Sequence, residues 1–321
     1  MKMISKKNAW FFMILITFCW GGSYVCTKYV TDHIDPTLAF LLGGLLGAII
    51  FFTLNFRKLA GFDRRQLRLI MKINLFSMLS NITSIIGIQY TTSTNAAFIL
   101  QLSVVMVPLL MSIRLRTLPS RATVLGSGVA LAGLALLTLD FNHLQVNPGD
   151  LLQIAAALFF SLYLVVLSDT KEHLRHQDIL AVYYLMSLPV GLGLLIWRGQ
   201  GIKLLFPLDD IVFLLIFGLS TIIVLTALTL QIGVSKHLPI ELMSVSYCLE
   251  PVVTAFLAAM LLGEHLNTQN LIGIFVILLA LIFMNWIAVL QRRRDSEANA
   301  RSDPGQSSQC RENQQPSIDN E

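Results

Sequence analysis

The sequence predicts an all-α integral membrane protein with ten transmembrane helices in two inverted five-helix repeats. Three observations carry this expectation. Hydrophobic residues make up 55% of the 321 residues and charged ones 13%, a balance that cannot cover a water-facing surface. The apolar residues fall into runs of about 20, the length at which a helix rising ~1.5 Å per residue crosses a ~30 Å hydrocarbon layer. The second half also repeats the first. Setting Val104 against Pro251, an offset of 147 residues, puts Gly126 on Gly273 and Thr117 on Glu264, with Pro108 about one turn later than its counterpart.

In chain order the expected spans are 9–29, 36–56, 67–89, 95–113 and 122–139, then 149–168, 177–197, 209–232, 240–262 and 268–290. They define a short N-terminal segment (1–8), a first repeat (9–139), a second repeat (149–290) and a polar tail (291–321) whose composition cannot bury a core. Lys2, Lys6 and Lys7 precede the first run as in a signal peptide. That run is too long for one and lacks a small-residue cleavage site, so it reads as a retained helix. With the N-terminus inside, inner segments hold 17 Lys and Arg residues and outer ones 3 (Lys28, Arg198 and Lys203). Basic loops stay in the cytoplasm. A multi-pass protein of the plasma or inner membrane with both termini cytoplasmic is therefore expected. The formal charge of +4 reflects these loops, and no nucleic-acid partner is expected.

The spans differ in polarity. The second, fifth and tenth carry almost nothing polar at mid-depth, and Gly43 and Gly47 of the second suit close packing. The first, third, fourth, sixth, seventh and ninth carry Trp20 and Ser23; Ser77, Ser80 and Asn81; Gln101 and Ser103; Ser161 and Tyr163; Tyr183, Tyr184 and Ser187; and Tyr247 and Glu250. Polar groups without water need partners, so these helices are expected to converge on a common cavity. Trp20, Ser23, Asn81, Asn95, Gln101, Tyr163, Tyr247 and Glu250 are the candidate substrate-binding residues. Asn81, Asn95 and Gln101 serve equally well as ties between helices. Tyr247, Glu250 and Thr254, at i, i+3 and i+7, share one helical face.

A second group of residues is expected to break or gate helices. Gly21 and Gly22 should loosen the first helix at mid-membrane and expose backbone groups, as transporter sites do. Pro108 and Pro251 should kink theirs. Lys28, one turn from the outer end, either gates or reaches headgroups. Glu250 is the only acid near the middle of any span. It can meet a substrate ammonium, pair structurally, or carry protons and so couple transport to their gradient.

Cys19, Cys26, Cys248 and Cys310 have no paired spacing, and reduced thiols are expected. His173 and His176 sit in a mixed-charge loop and read as solvated rather than as metal ligands. No cofactor or metal is expected, and no phosphate loop, serine elbow or zinc-protease motif is present.

Three stretches carry a family resemblance: Trp20-Gly21-Gly22-Ser23-Tyr24-Val25 ending in Lys28; residues 87–110, GIQYTTSTNAAFILQLSVVMVPLL; and residues 249–264 with Leu249-Glu250-Pro251 and Gly263-Glu264. In this order, with a duplicated half, the chain resembles EamA-type members of the drug/metabolite transporter superfamily over residues 9–290. The resemblance implies two inverted five-helix repeats, a central cavity lined by both, and transport of small metabolites, often outward. The chain departs from the pattern at Thr117, where Glu is common, and at Phe160-Ser161-Leu162-Tyr163, where a Trp-led motif is common.

The function expected is secondary transport, as an exporter, of a small polar metabolite such as an amino acid or related compound, by alternating access. Its partners are that solute, the lipid bilayer and protons as a candidate coupling ion, with the protein a monomer or homodimer. A nucleotide-sugar or phosphate-ester carrier is the alternative within transport. It would need several fixed positive charges in the cavity, and only Lys28 is near. A lipid-modifying membrane enzyme is the alternative of another class, and a passive channel a third.

Overall fold

In hydrocarbon every backbone N–H and C=O must be satisfied within the chain, which leaves helices as the option for segments like these. The computed structural model describes residues 4–5, 7–55, 63–116, 121–138, 148–168, 174–197, 207, 209–263 and parts of 268–279, and the elements among them are helices. These are α1 (Ala9–His33), α2 (Pro36–Asn55), α3 (Arg64–Ile88), α4 (Ser93–Leu100), α5 (Ser103–Leu115), α6 (Arg121–Thr138), α7 (Pro148–Ser168), α8 (His176–Trp197), α9 (Ile211–Val234), α10 (Ile240–Ser246) and α11 (Leu249–Leu261). Among the described residues, eight segments are long and apolar enough to cross a membrane: α1, α2, α3, α4 with α5, α7, α8, α9, and Leu242–Leu261 across α10 and α11. Thr117, His173, Glu264, most of the tenth expected span and the tail from 291 lie outside the described residues.

Local chemistry sets several ends. Asp210 caps α9, its carboxylate accepting from the N–H groups of Val212 (2.9 Å) and Phe213 (3.1 Å). Thr92 caps α4 by accepting from Asn95 N–H at 3.0 Å. Asp63 and Gln66 form a capping box that starts α3 three residues before the apolar run, among Arg64, Arg65 and Arg68.

The largest differences from expectation are in the fourth and ninth spans, which are each two helices. The breaks fall at Gln101–Leu102 and Tyr247–Cys248, within one residue of equivalence at the 147 offset. Pro251 explains the second. It sits in the first turn of α11, where its missing N–H is no loss, and the carbonyl four residues before it, on Tyr247, accepts from Glu250 N–H at 2.8 Å instead. Pro108 lies inside α5 without ending it. The carbonyl it would have used, on Val104, accepts from the Ser127 hydroxyl of α6 at 3.2 Å.

The glycine pair of α1 does not open that helix, which runs unbroken from Ala9 to His33. Gly21 is instead the point of closest approach to α11. A Cβ there would stand 2.8 Å from the Val253 side chain and 3.0 Å from Glu250 O. Its carbonyl is still used from outside the helix, accepting from Thr254 Oγ1 at 3.1 Å. In α2, Gly43 and Gly44 both border the central space, and Gly44 and Gly47 make the close contact with α8, meeting Ser187 and Tyr184.

Packing pairs recur between the halves. α1 packs on α9 as α7 packs on α3; α1 meets α11 as α7 meets α4 and α5; α3 meets α8 as α9 meets α2. The α2–α8 pair and the crossing of α4–α5 with α10–α11 map onto themselves. Large apolar side chains such as Phe11, Phe18, Leu215, Phe256 and Met260 point outward, while Asn74, Gln101, Gln153, Gln231 and Glu250 are buried. That inside-out distribution suits lipid.

The two ends of the bundle differ in charge. The face where α1 begins carries Lys7, Arg64, Arg65, Arg68, Arg114, Arg116, Arg175 and Lys236 with Asp63 and Asp178. The opposite face carries Asp32, Asp35, Asp150, Asp209 and Asp210 with Lys28.

A valine at Gly47 would place its Cβ 2.5 Å from the Tyr184 ring, and overpacking of this kind costs about 1–3 kcal/mol. Gly47→Val should lower the thermal unfolding midpoint in micelles by several degrees, while Gly128→Ala, with nothing within 4 Å of the added Cβ, should not lower it. Equal midpoints for the two would refute the tight α2–α8 contact.

Candidate functional site

A cavity of about 160 Å³ lies in the bundle, walled by α1, α2, α3, α7, α8 and α9, with Leu100 and Glu250 at its floor. The α3 and α9 walls are built alike. Each presents residues at i, i+4 and i+7, and the two sets stand 147 residues apart: Ser77, Asn81 and Ser84 against Val224, Leu228 and Gln231. The lining extends to Val30, Ala39, Ile88 and Phe217, near the acidic face. The half toward the basic face is filled by buried Ala9, Met13, Ile16, Ile70, Ile73, Leu180, Val234 and Met243.

Polar ties close that basic side. Asn74 donates to Ile179 O (2.9 Å), Lys236 to Leu174 O (2.6 Å), and Gln177 to the Asn55 amide oxygen (3.3 Å), all holding the start of α8. Burial lowers the Lys236 ammonium below its usual range, with Asp178 countering part of the effect. Arg175 grips Asp178 with two bonds of 2.9 and 3.0 Å, which raises the guanidinium further.

Of the eight candidate substrate residues, Trp20, Ser23, Asn81, Tyr163 and Glu250 line the cavity. Asn81 donates to Ser77 O (2.9 Å) and to the Tyr183 hydroxyl (3.3 Å), joining α3 to α8 at the wall. Three candidates do not line it. Asn95 sits in the first turn of α4, near the acidic face. Gln101 is fully buried in the α4–α5 break and donates to Glu250 Oε2 at 2.8 Å. Tyr247 is fully buried in the other break, its ring 5.7 Å from that of Phe160.

The gating candidates are placed as follows. Gly21, Gly22, Pro108 and Pro251 lie at the packing and break points described above. Lys28 pairs with Asp32 at 3.1 Å and donates to Ile88 O at 3.3 Å, capping the end of α3 outside the lining.

Sequence reading missed Gln231 of α9. Its Oε1 accepts from Trp20 Nε1 at 2.7 Å, and its Nε2 is buried without a partner. The available signal was the i, i+4, i+7 spacing shared with Ser77, Asn81 and Ser84. It also missed Gln153, fully buried, which exchanges two bonds with Ser84 (2.8 and 3.1 Å) and ties α7 to α3. Other buried oxygens lack partners at the floor and in the breaks: Tyr163 OH, Tyr247 OH, Ser103 Oγ, Gln101 Oε1 and Glu250 Oε1. Tyr163 stands beside Gln231 without a hydrogen bond of good geometry.

Chemically this is a space with aromatic walls and one carboxyl at its base. Among the described lining residues there is no Lys, Arg or His. The arrangement can desolvate and hold a small solute, and nothing in it resembles a nucleophile set beside a base.

Comparison with known proteins agrees with this picture. The EamA-like transporter family matches residues 7–139 and 147–286. A protein of Archaeoglobus fulgidus described as an uncharacterized transporter is 26% identical over 278 residues, spanning 85% of this chain and 84% of its own. One solved crystal structure superposes with a TM-score of 0.70 at 16% identity, covering 90% of this chain and 99% of that one, and shares the fold.

Replacing Gln101 by Leu leaves Glu250 Oε2 buried without its donor, a loss of about 2 kcal/mol. In a double-mutant cycle by chemical unfolding, Gln101→Leu should cost far less in a Glu250→Leu background than in the wild type. Equal costs in both would mean that the 2.8 Å bond does not hold the two breaks together.

Proposed function

The chain belongs to the EamA-like transporter family of the drug/metabolite transporter superfamily, and on that premise we propose a secondary-active carrier of a small polar metabolite such as an amino acid or related compound, working by alternating access. The observation that carries this reading is the one-sided cavity. It runs from near the acidic face to Glu250 at mid-bundle and ends above a half packed with buried apolar side chains. A carrier caught in one of two states has that shape, and a continuous channel does not. The exchange of packing pairs between the halves supports two inverted five-helix repeats and ten spans.

The proposed orientation puts the basic face in the cytoplasm, so the cavity faces outward and both termini lie inside the plasma or inner membrane. Export is the direction the family resemblance favours. A nucleotide-sugar or phosphate-ester substrate fits less well, because no cation lines the cavity among the described residues. An enzymatic role has no support from the family or from the name of the A. fulgidus relative.

Within this reading Glu250 is the coupling candidate. Tyr24, Tyr247 and Cys248 are the titratable groups that sense its charge, and Gln101 is its donor. Glu250→Gln keeps the shape and removes the titration. In proteoliposomes loaded with a cell metabolite extract, wild-type protein should move a small set of solutes at a pH-dependent rate, and the variant should lose that dependence. An unchanged profile would remove proton coupling from Glu250. Failure of the wild type to move any solute would sink the carrier reading.

Orientation has its own test. A reporter active only in the cytoplasm should give signal when fused after Glu321 and none within 142–150, and the reverse pattern would invert the assignment.

A further inference from the structure

We propose that the cavity floor selects a solute with one positive charge and a neutral hydrogen-bond acceptor, such as an amino amide or amino alcohol, over a zwitterion. This rests on the carrier reading and, among amino acids and related compounds, favours the derivatives whose carboxylate is absent or masked over the free amino acids. Charge balance is the first argument. Glu250 is 2% exposed, and the side chain that donates to its carboxyl, Gln101, is neutral. A carboxyl buried in this way either keeps a proton or meets a counter-charge, and no described lining residue supplies that charge. An ammonium group on the solute would supply it, with the rings of Trp20, Phe160 and Tyr163 offering faces that attract cations. A zwitterion would bring a second negative charge into the same cation-free space.

The second argument is the orientation of Gln231. An indole N–H only donates, so the Gln231 atom 2.7 Å from Trp20 Nε1 must be its carbonyl oxygen. That contact fixes the amide and turns Nε2 away from Trp20 as a buried donor without a partner of good geometry. The Tyr163 oxygen stands beside it as a loosely placed acceptor, and neither atom has a partner of good geometry, so a solute acceptor would replace a poor contact by a good one. Tyr163 and Tyr247 both pack against the Phe160 ring, with centroids 6.0 and 5.7 Å away. The floor therefore has an acceptor end at Glu250 and a donor end at Gln231 beside Tyr163. A buried donor left empty is costly, so a solute acceptor placed there gains affinity. Trp20 is on this view a positioning residue that sets which end of Gln231 the solute meets.

The test uses full-length protein in micelles, with binding measured calorimetrically, and the same protein in proteoliposomes. The probes are leucinamide and N-acetylputrescine (monocations with a near and a far amide), leucine (zwitterion) and isoamylamine (monocation without an acceptor). At least one of the first two should bind about tenfold or more tighter than both controls. Gln231→Leu should bring it down to the isoamylamine level, and Glu250→Gln should erase its advantage over leucine. Trp20→Phe keeps an aromatic face and frees the amide, so it should lose more in amide binding than in isoamylamine binding, the ratio of the two affinities falling several-fold; it also serves if Gln231→Leu does not fold. Leucine or isoamylamine binding as tightly as both amides overturns the proposal, as does binding of none of the probes. If leucine is transported while the amides do not bind, the selectivity fails and the carrier reading stands. If an amide binds and no solute crosses the liposome membrane, the carrier reading fails and the site stands.

Discussion

The structure depends on one constraint: a helix broken at membrane depth must have its freed carbonyls satisfied without water. Each irregularity has a specific donor. Val104 O, left open by Pro108, accepts from Ser127 of α6. Tyr247 O, left open by Pro251, accepts from Glu250 N–H within the tightened turn. Each such group would otherwise cost several kcal/mol in hydrocarbon. The α4–α5 break itself is closed by tightened turns such as Val104 N–H to Gln101 O (2.9 Å), and the two breaks cross at the centre, fastened by the 2.8 Å bond from Gln101 to Glu250. The cavity floor exists because those breaks do.

The glycine pair of α1 shows how the wall is joined to that crossing. Trp20 lines the cavity and holds Gln231, while the next residue, Gly21, lets α1 approach α11 closely enough for Thr254 to reach its carbonyl. Wall and break therefore meet through adjacent backbone atoms. A displacement of α11 relative to α1 would be felt at the indole within one residue. Small shifts in packed interiors are transmitted rather than absorbed.

The spans were legible because hydrocarbon demands long apolar runs, and the sorting of polar from apolar spans followed from the need to keep polar groups off lipid. That logic brought Trp20, Ser23, Asn81, Tyr163 and Glu250 to one cavity wall or floor. It could not separate a polar face that meets a cavity from one that meets another polar face, since helical period gives direction and not depth. Gln101 and Tyr247 were lost for that reason, being buried in the crossing. Gly21 was misread because a residue without a side chain serves an open helix and a tight contact equally well. Gln231 was hidden in the most hydropathic of the eight spans, and its role became visible only through Trp20, 211 residues away in sequence.

The matched backbone positions of the two halves carry different chemistry, and this division bears on how a carrier of the proposed kind would work. At the 147 offset Ser103 stands where Glu250 does, Ser84 where Gln231 does, and Asn81 where Leu228 does. A scaffold whose packing pairs exchange between halves can adopt two mirrored arrangements of similar energy. Alternating access requires this, because a minor state must lie within a few kcal/mol to be used. Selectivity needs the opposite, a site that differs from its own mirror image. Substituting side chains on α9 and α11 without altering the shared breaks meets both demands. The apolar seal beneath the cavity fits the same logic. Its tie at the start of α8 rests on a few bonds from Asn74, Lys236 and Gln177, few enough to be exchanged for equivalent contacts at the other face without a large net change in energy.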